Sequence, residues 1–338
     1  LNESNSFTVT GGTAGILILN RTGSLIQNAG TFSVQSGSDR RIDNGGTIIN
    51  SALFNVNGAL AGEGIVNQVT GLITNTAGTF MISGGNATQL DNFGTVNNYS
   101  TFIIQGGGVA GNSLLNNASG VFNHISGTWS ASFGNGIRVV NSGLISISAV
   151  ATFGGGPGNS LTNNLTGIIE HYSGLLTING FSGTGFQNDG TYHGGAASSI
   201  TIPNGAGAGI VNTGTFIDTA GCSLDIHNLG GDLIHNSGLM YIDCNSMLYS
   251  NGSDGIRNTS TGVYRQNLGS ITFYSFASDF IENDNYFYSD VPMNLAGGGT
   301  GNYLIFNKDS IILGPNSSLK ATTGTSRFVF NGINGFLD

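Results

Sequence analysis

The stretch Ile210-Val211-Asn212-Thr213-Gly214-Thr215-Phe216 stands 24 residues after Phe186-Gln187-Asn188-Asp189-Gly190-Thr191-Tyr192, and the two share one phrase: an apolar residue, any residue, Asn, then Gly. Followed outward in both directions, the phrase recurs along nearly the whole chain. Its Asn falls at Asn20, Asn44, Asn67, Asn92, Asn116, Asn141, Asn164, Asn188, Asn212, Asn236, Asn258, Asn283, Asn307 and Asn331, spaced by 22 to 25 residues. A fixed period of this size marks a stacked repeat in which each copy buries its apolar face against its neighbours.

Two positions before each Asn stand Ile18, Ile42, Ile65, Leu90, Leu114, Val139, Thr162, Phe186, Ile210, Ile234, Ile256, Ile281, Ile305 and Val329, and only Thr162 is polar. Stacked parallel strands require such a column, because each rung repeats the same inward position about 4.8 Å above the last. A repeat divides further into three β-rich pieces, in one copy Leu114–Asn116, Val121–His124 and Thr128–Ser132. The first corner carries Gly two, three or four positions after the Asn, and both residues tolerate left-handed backbone angles. The Asn amides are expected to bond from coil to coil as a ladder. The third corner is longer and rich in glycine, as at Gly106–Gly108, Gly154–Gly156 and Gly297–Gly299, and is expected to bulge.

These readings predict an all-β, single-domain right-handed parallel β-helix (β-solenoid) of about 13 coils of about 24 residues, with three faces per coil. It spans residues 1–338, with 1–15 as an entry or cap segment and 303–338 as terminal coils that are open to continuation into a further chain or subunit.

Phrases such as Asn188-Asp189-Gly190-Thr191 and Asn212-Thr213-Gly214-Thr215-Phe216 resemble repeats of bacterial surface β-helices, the filamentous-haemagglutinin-like adhesins and autotransporter passengers. The resemblance implies a secreted, extracellular chain at the cell surface with a structural or adhesive role. A glycan or cell-surface receptor is the partner expected of that role, and a rod with two open ends of unpaired strand groups and no evident capping helix is expected to self-associate into an oligomer or end-to-end filament. The resemblance carries over no catalytic residue.

Composition narrows the alternatives. The 338 residues include 57 Gly and only 8% charged side chains, with 38% apolar, so helix propensity is low but a core must form. Nine Lys and Arg against eighteen Asp and Glu leave too few cations to neutralise a phosphate backbone, so nucleic acid is a poor partner. No apolar run approaches a membrane-spanning length, so membrane insertion is not expected. The chain opens on Leu1 with no basic-then-apolar leader, which reads as a mature or excised segment.

Candidate chemistry is sparse. Parallel β-helices also include polysaccharide lyases and hydrolases, whose mechanism needs carboxylates converging on one face. The richest acidic stretch, Asp279, Glu282, Asp284 and Asp290 with Lys308 and Asp309 one coil later, is placed on solvated turns. His124, His171, His193, His227 and His235 lie on different coils without metal-site spacing. Neither metal, cofactor nor catalytic residue is therefore expected. Cys222 and Cys244 fall on adjacent coils, which leaves open a disulfide or two small buried hydrophobes. The aromatic run from Phe273 to Tyr288 gives a candidate contact surface in Tyr274, Tyr286 and Tyr288, set against a reading in which Phe rings stack inside and Tyr sits at the rim. A polysaccharide-binding or polysaccharide-degrading protein and a trimeric viral fibre remain the rival functions.

Overall fold

A computed structural model describes residues 5–11, 15–35, 39–58, 62–106, 111–132, 134–250, 254–274, 278–296, 303–322, 327–331 and 336–337. The described residues form strands and turns without a helix. Contacts divide the chain into two compact units, Leu1–Glu170 and His171–Asp338. Each is a parallel β-solenoid whose coils contain three strands, called a, b and c in chain order. The three expected pieces of one repeat are the observed a, b and c strands Leu114–Asn116, Val121–His124 and Thr128–Ser132.

In the first unit every a strand lies parallel to the next in one unbroken register: Ile42 faces Ile65, Ile65 faces Leu90, Leu90 faces Leu114 and Leu114 faces Val139. The apolar column continues to Leu161, paired with Val139, and Thr162 lies one position beyond it. The expected register there was off by one residue. Removing the polar entry makes the column wholly aliphatic, as continuous burial requires.

The c strands alternate inward and outward with period two, and their inward positions build aromatic stacks. Phe32, Phe54 and Phe80 lie with ring centroids 4.6 Å apart and planes within 8°, and Phe102 follows at 4.9 Å. Where Trp129 enters this column its inward companion is Ala131, and on the next coil the order reverses to Ala151 and Phe153. Large and small side chains thus exchange places so that the core volume per coil holds steady.

The second unit repeats the plan. Ile210, Ile234, Ile256, Ile281 and Ile305 stack in register and are buried. Here Thr191–Gly205 runs as one strand through both the b and c positions, pairing Thr191–Gly194 with Thr215–Asp218 and Ser199–Ile202 with Ser223–Ile226. The corner between b and c is in that coil a bend within one sheet. Asn307 and Asn331 pair in backbone register.

The glycines of the first corner are required for a reason the sequence reading did not anticipate. Of them only Gly23 has a positive φ, +80°. At Gly94, Gly143, Gly214 and Gly238 an added Cβ would lie 2.1–2.3 Å from a carbonyl oxygen of the preceding coil. Their service is close axial approach of successive turns. Of the expected third-corner bulges, Gly107, Gly108 and Gly297–Gly299 lie outside the described residues. Gly154–Gly156 end the strand Val150–Gly156 and so extend the sheet rather than leaving it.

Candidate functional site

The expected amide ladder is present in each unit. In the first, each Nδ2 donates to the next Oδ1 from Asn20 through Asn44, Asn67, Asn92, Asn116 and Asn141 to Asn163, at 2.6–2.8 Å. In the second it runs from Asn188 through Asn212, Asn236, Asn258 and Asn283 to Asn307, at 2.7–2.9 Å. The rung expected of Asn164 belongs to its neighbour. Asn163 is fully buried, while Asn164 is half exposed and donates to Ser142 Oγ at 2.8 Å. With Asn163 in place, Gly167 stands four positions on, as Gly71, Gly120 and Gly262 do from Asn67, Asn116 and Asn258. At all four glycines a Cβ would meet the Oδ1 of the preceding ladder Asn at 2.2–2.4 Å.

A second buried polar column lies at the end of the b strands, and the sequence reading missed it. Asn28, Asn50, Asn75 and Asn98 bond in series at 2.8 Å, and Asn98 Nδ2 then donates to His124 Nδ1 at 3.0 Å. All five are fully buried. His124 Nε2 donates to the Val150 carbonyl at 2.8 Å, which fixes the neutral tautomer with its proton on Nε2. Burial pushes the His124 ring below the usual histidine range. The signal was available in the sequence: a second Asn or His follows the ladder Asn by six or eight residues.

The second unit carries a buried polar network of mixed chemistry of its own. His171 Nε2 donates to the Gly174 carbonyl at 3.0 Å, so Nδ1 accepts from the Tyr192 hydroxyl at 3.0 Å. Ser198 Oγ lies 2.8 Å from the Gly195 carbonyl and 3.1 Å from Asp218 Oδ1. Asp218 Oδ2 lies 3.5 Å from Cys244 Sγ. Cys222 and Cys244 are joined by a disulfide with Cα atoms 4.9 Å apart. Gly194 makes room for the carboxylate, since a Cβ there would lie 1.8 Å from Asp218 Oδ1. One coil on, Tyr264 donates to Gln266 Oε1 at 2.9 Å and Gln266 Nε2 to the Cys244 carbonyl at 2.7 Å.

The electrostatics follow from desolvation. Burial holds His171 down to about 4, opposed in part by its bond to the Gly174 carbonyl. Asp218 is pushed up to about 7 by burial, with the Ser198 bond pulling the other way. Tyr192 is raised by burial first and by the Asp218 charge second. Side chains of His171, Tyr192, Ser198, Asp218, Cys222 and Cys244 are at most 3% exposed, so the network faces the protein interior.

The outward candidates are arranged differently. Tyr274 is half-buried and its ring stacks on Tyr249 at 4.3 Å with planes 8° apart, and His227 adjoins Tyr249 at 5.4 Å. Tyr288, on the b face, receives the Arg265 guanidinium at 5.0 Å, and Tyr286 stands two residues earlier beside Val263 and Ser310. Phe273, Phe280 and Phe287 are buried. The acidic stretch is engaged: Glu282 meets Arg257 at 3.4 Å and Lys308 at 3.3 Å, and Asp284 meets Lys308 at 2.9 Å. Asp290 accepts from the Asn316 backbone and side chain at 2.7 and 3.0 Å.

No family model, curated protein or solved structure matches this chain.

Proposed function

We propose that this chain is a secreted or cell-surface β-solenoid with a structural and adhesive role, meeting a glycan, a receptor or further copies of itself through its outward side-chain columns. The observation that carries this reading is the Tyr249–Tyr274 stack with exposed Met247 beside it on the same strand. Outward aromatic rings held in register on rigid strands lose little side-chain freedom on contact, which makes them efficient anchors. The carboxylates around Lys308 favour the same reading, because ion-paired or capping carboxylates are poorly suited to general acid and base work.

Purified protein, labelled and applied to panels of cells and immobilised glycans, tests it, together with electron microscopy of the same material. Saturable binding that falls about tenfold or more in a Tyr249→Ser/Tyr274→Ser variant of unchanged circular dichroism supports the proposal. Absence of binding together with strictly monomeric particles overturns it. Depolymerisation of an acidic polysaccharide would replace it with the enzymatic reading.

A further inference from the structure

The geometry points to a redox-gated metal site in the second unit, in which Cys222, Cys244 and Asp218 bind one thiophilic divalent cation of the zinc or cadmium class once the disulfide is reduced. One Asp218 oxygen and the two Sγ atoms all lie within 4.8 Å of one another, and all three residues are buried. The Asp218 carboxylate sits between the Ser198 hydroxyl and the disulfide, with no cationic side chain among its bonding partners in the described residues. A buried carboxylate held by one hydroxyl is costly, and a bound cation would offset that cost more fully than the sulfurs do.

The scaffold suits such a site. The cysteines stand on neighbouring coils with Cα atoms 4.9 Å apart, and rotation about their side-chain bonds opens the sulfurs to the spacing of about 3.8 Å that two zinc–sulfur bonds of about 2.3 Å demand. Gly194 leaves the space that the carboxylate occupies, and Gly221, at a φ of +95°, sets the turn that delivers Cys222. Two thiolates select soft or borderline ions over calcium and magnesium. Three protein ligands leave a fourth position for the nearby Ser198 hydroxyl or a water.

The chemistry balances with a dithiol as reductant. Two electrons pass from the dithiol sulfurs to the Cys222–Cys244 bond, the dithiol closes to its own disulfide, and each protein sulfur takes up one proton. Cation binding then displaces both thiol protons to solvent and forms two metal–sulfur bonds and one metal–oxygen bond.

The test uses the full chain reduced with dithiothreitol, freed of reductant without air, and titrated with Cd2+ while the thiolate-to-cadmium charge-transfer absorbance is followed. One equivalent is expected to bind to reduced protein and none to oxidised protein. Asp218→Asn, which keeps the side-chain shape, is expected to weaken the reduced site by about tenfold or more with circular dichroism unchanged. Cys244→Ser is expected to abolish the absorbance band. The proposal is overturned if reduced protein does not bind, if Asp218→Asn binds as tightly as the parent chain, or if free thiols appear only when the protein unfolds.

Discussion

Asn98 donates its side-chain N–H to Nδ1 of His124 across 3.0 Å, so the amide column of the first unit ends on an imidazole that accepts only while it is uncharged. Protonating Nδ1 would set two donors against each other in a fully buried site. His171 in the second unit is neutral for the same reason of burial.

The histidine contribution to stability is therefore expected to fall with acid, opposed over the same range by Asp218, whose raised carboxyl takes up its proton in the folded chain first. Both histidines have folded pKa values depressed below the ordinary 6.5, so their contribution is fully present above that pH. For His171 it is lost progressively as pH falls from about 6.5 toward 4, where the unfolded chain takes up protons that the folded chain refuses. His171 alone accounts for about 3 kcal/mol by linkage. Urea titrations at successive pH values measure the slope, and His124→Asn, which extends the ladder with an amide, is expected to reduce it. An unchanged slope in that variant would show that His124 does not titrate as described.

The register of the first ladder gives a sharper comparison. Asn163→Ala removes the amide that accepts from Asn141 at 2.8 Å and donates to the Gly167 carbonyl at 3.1 Å, two buried bonds lost together at a cost of about 2 kcal/mol. Asn164→Ala loses one half-exposed bond to Ser142 and is expected to cost less than about 1 kcal/mol. Denaturation midpoints of the two variants decide between the positions, and the reverse order would place Asn164 in the ladder.

Gly214→Ala should destabilise although the φ of Gly214 is not positive. Its Cβ would stand 2.1 Å from the Gly190 carbonyl oxygen, which cannot yield without separating two coils. A loss of about 2 kcal/mol or more in thermal unfolding is expected, whereas Gly23→Ala, whose Cβ meets nothing within 4 Å, pays only the strain of its backbone angle.

Phe80→Ala cuts the middle of an aromatic stack with neighbours at 4.6 and 4.9 Å and is expected to cost about 3–5 kcal/mol. Met81→Ala, on the outward side of the same strand, should cost well under half of that. Equal losses would mean that the alternation along this strand is misassigned.

The solenoid was legible in the sequence because its period rests on side chains with one dominant requirement each. Ile42, Ile65 and Leu90 must be apolar, and Asn44, Asn67 and Asn92 must pair, so both columns survive inspection of single residues. Asn163 and Asn164 differ only in which backbone position faces inward, and two adjacent Asn residues conceal that choice. The second column was harder to see because it changes chemistry from Asn98 to His124, and the same b position in the second unit holds Gly194, Asp218, Gln266 and Ser289. Asp218 was out of view because its meaning depends on Cys222 and Cys244 closing around it in three dimensions.

The first corner comes in two lengths while the amides beneath it keep their places, so the quantity a gene can add or remove without penalty is one whole period. Excising residues 93–116 would bring Asn92 to the place Asn116 now fills, facing Asn141 with donor and acceptor still matched. Growth and shrinkage by in-frame recombination are in this way built into the geometry, and the length of such a chain can be tuned as readily as its surface.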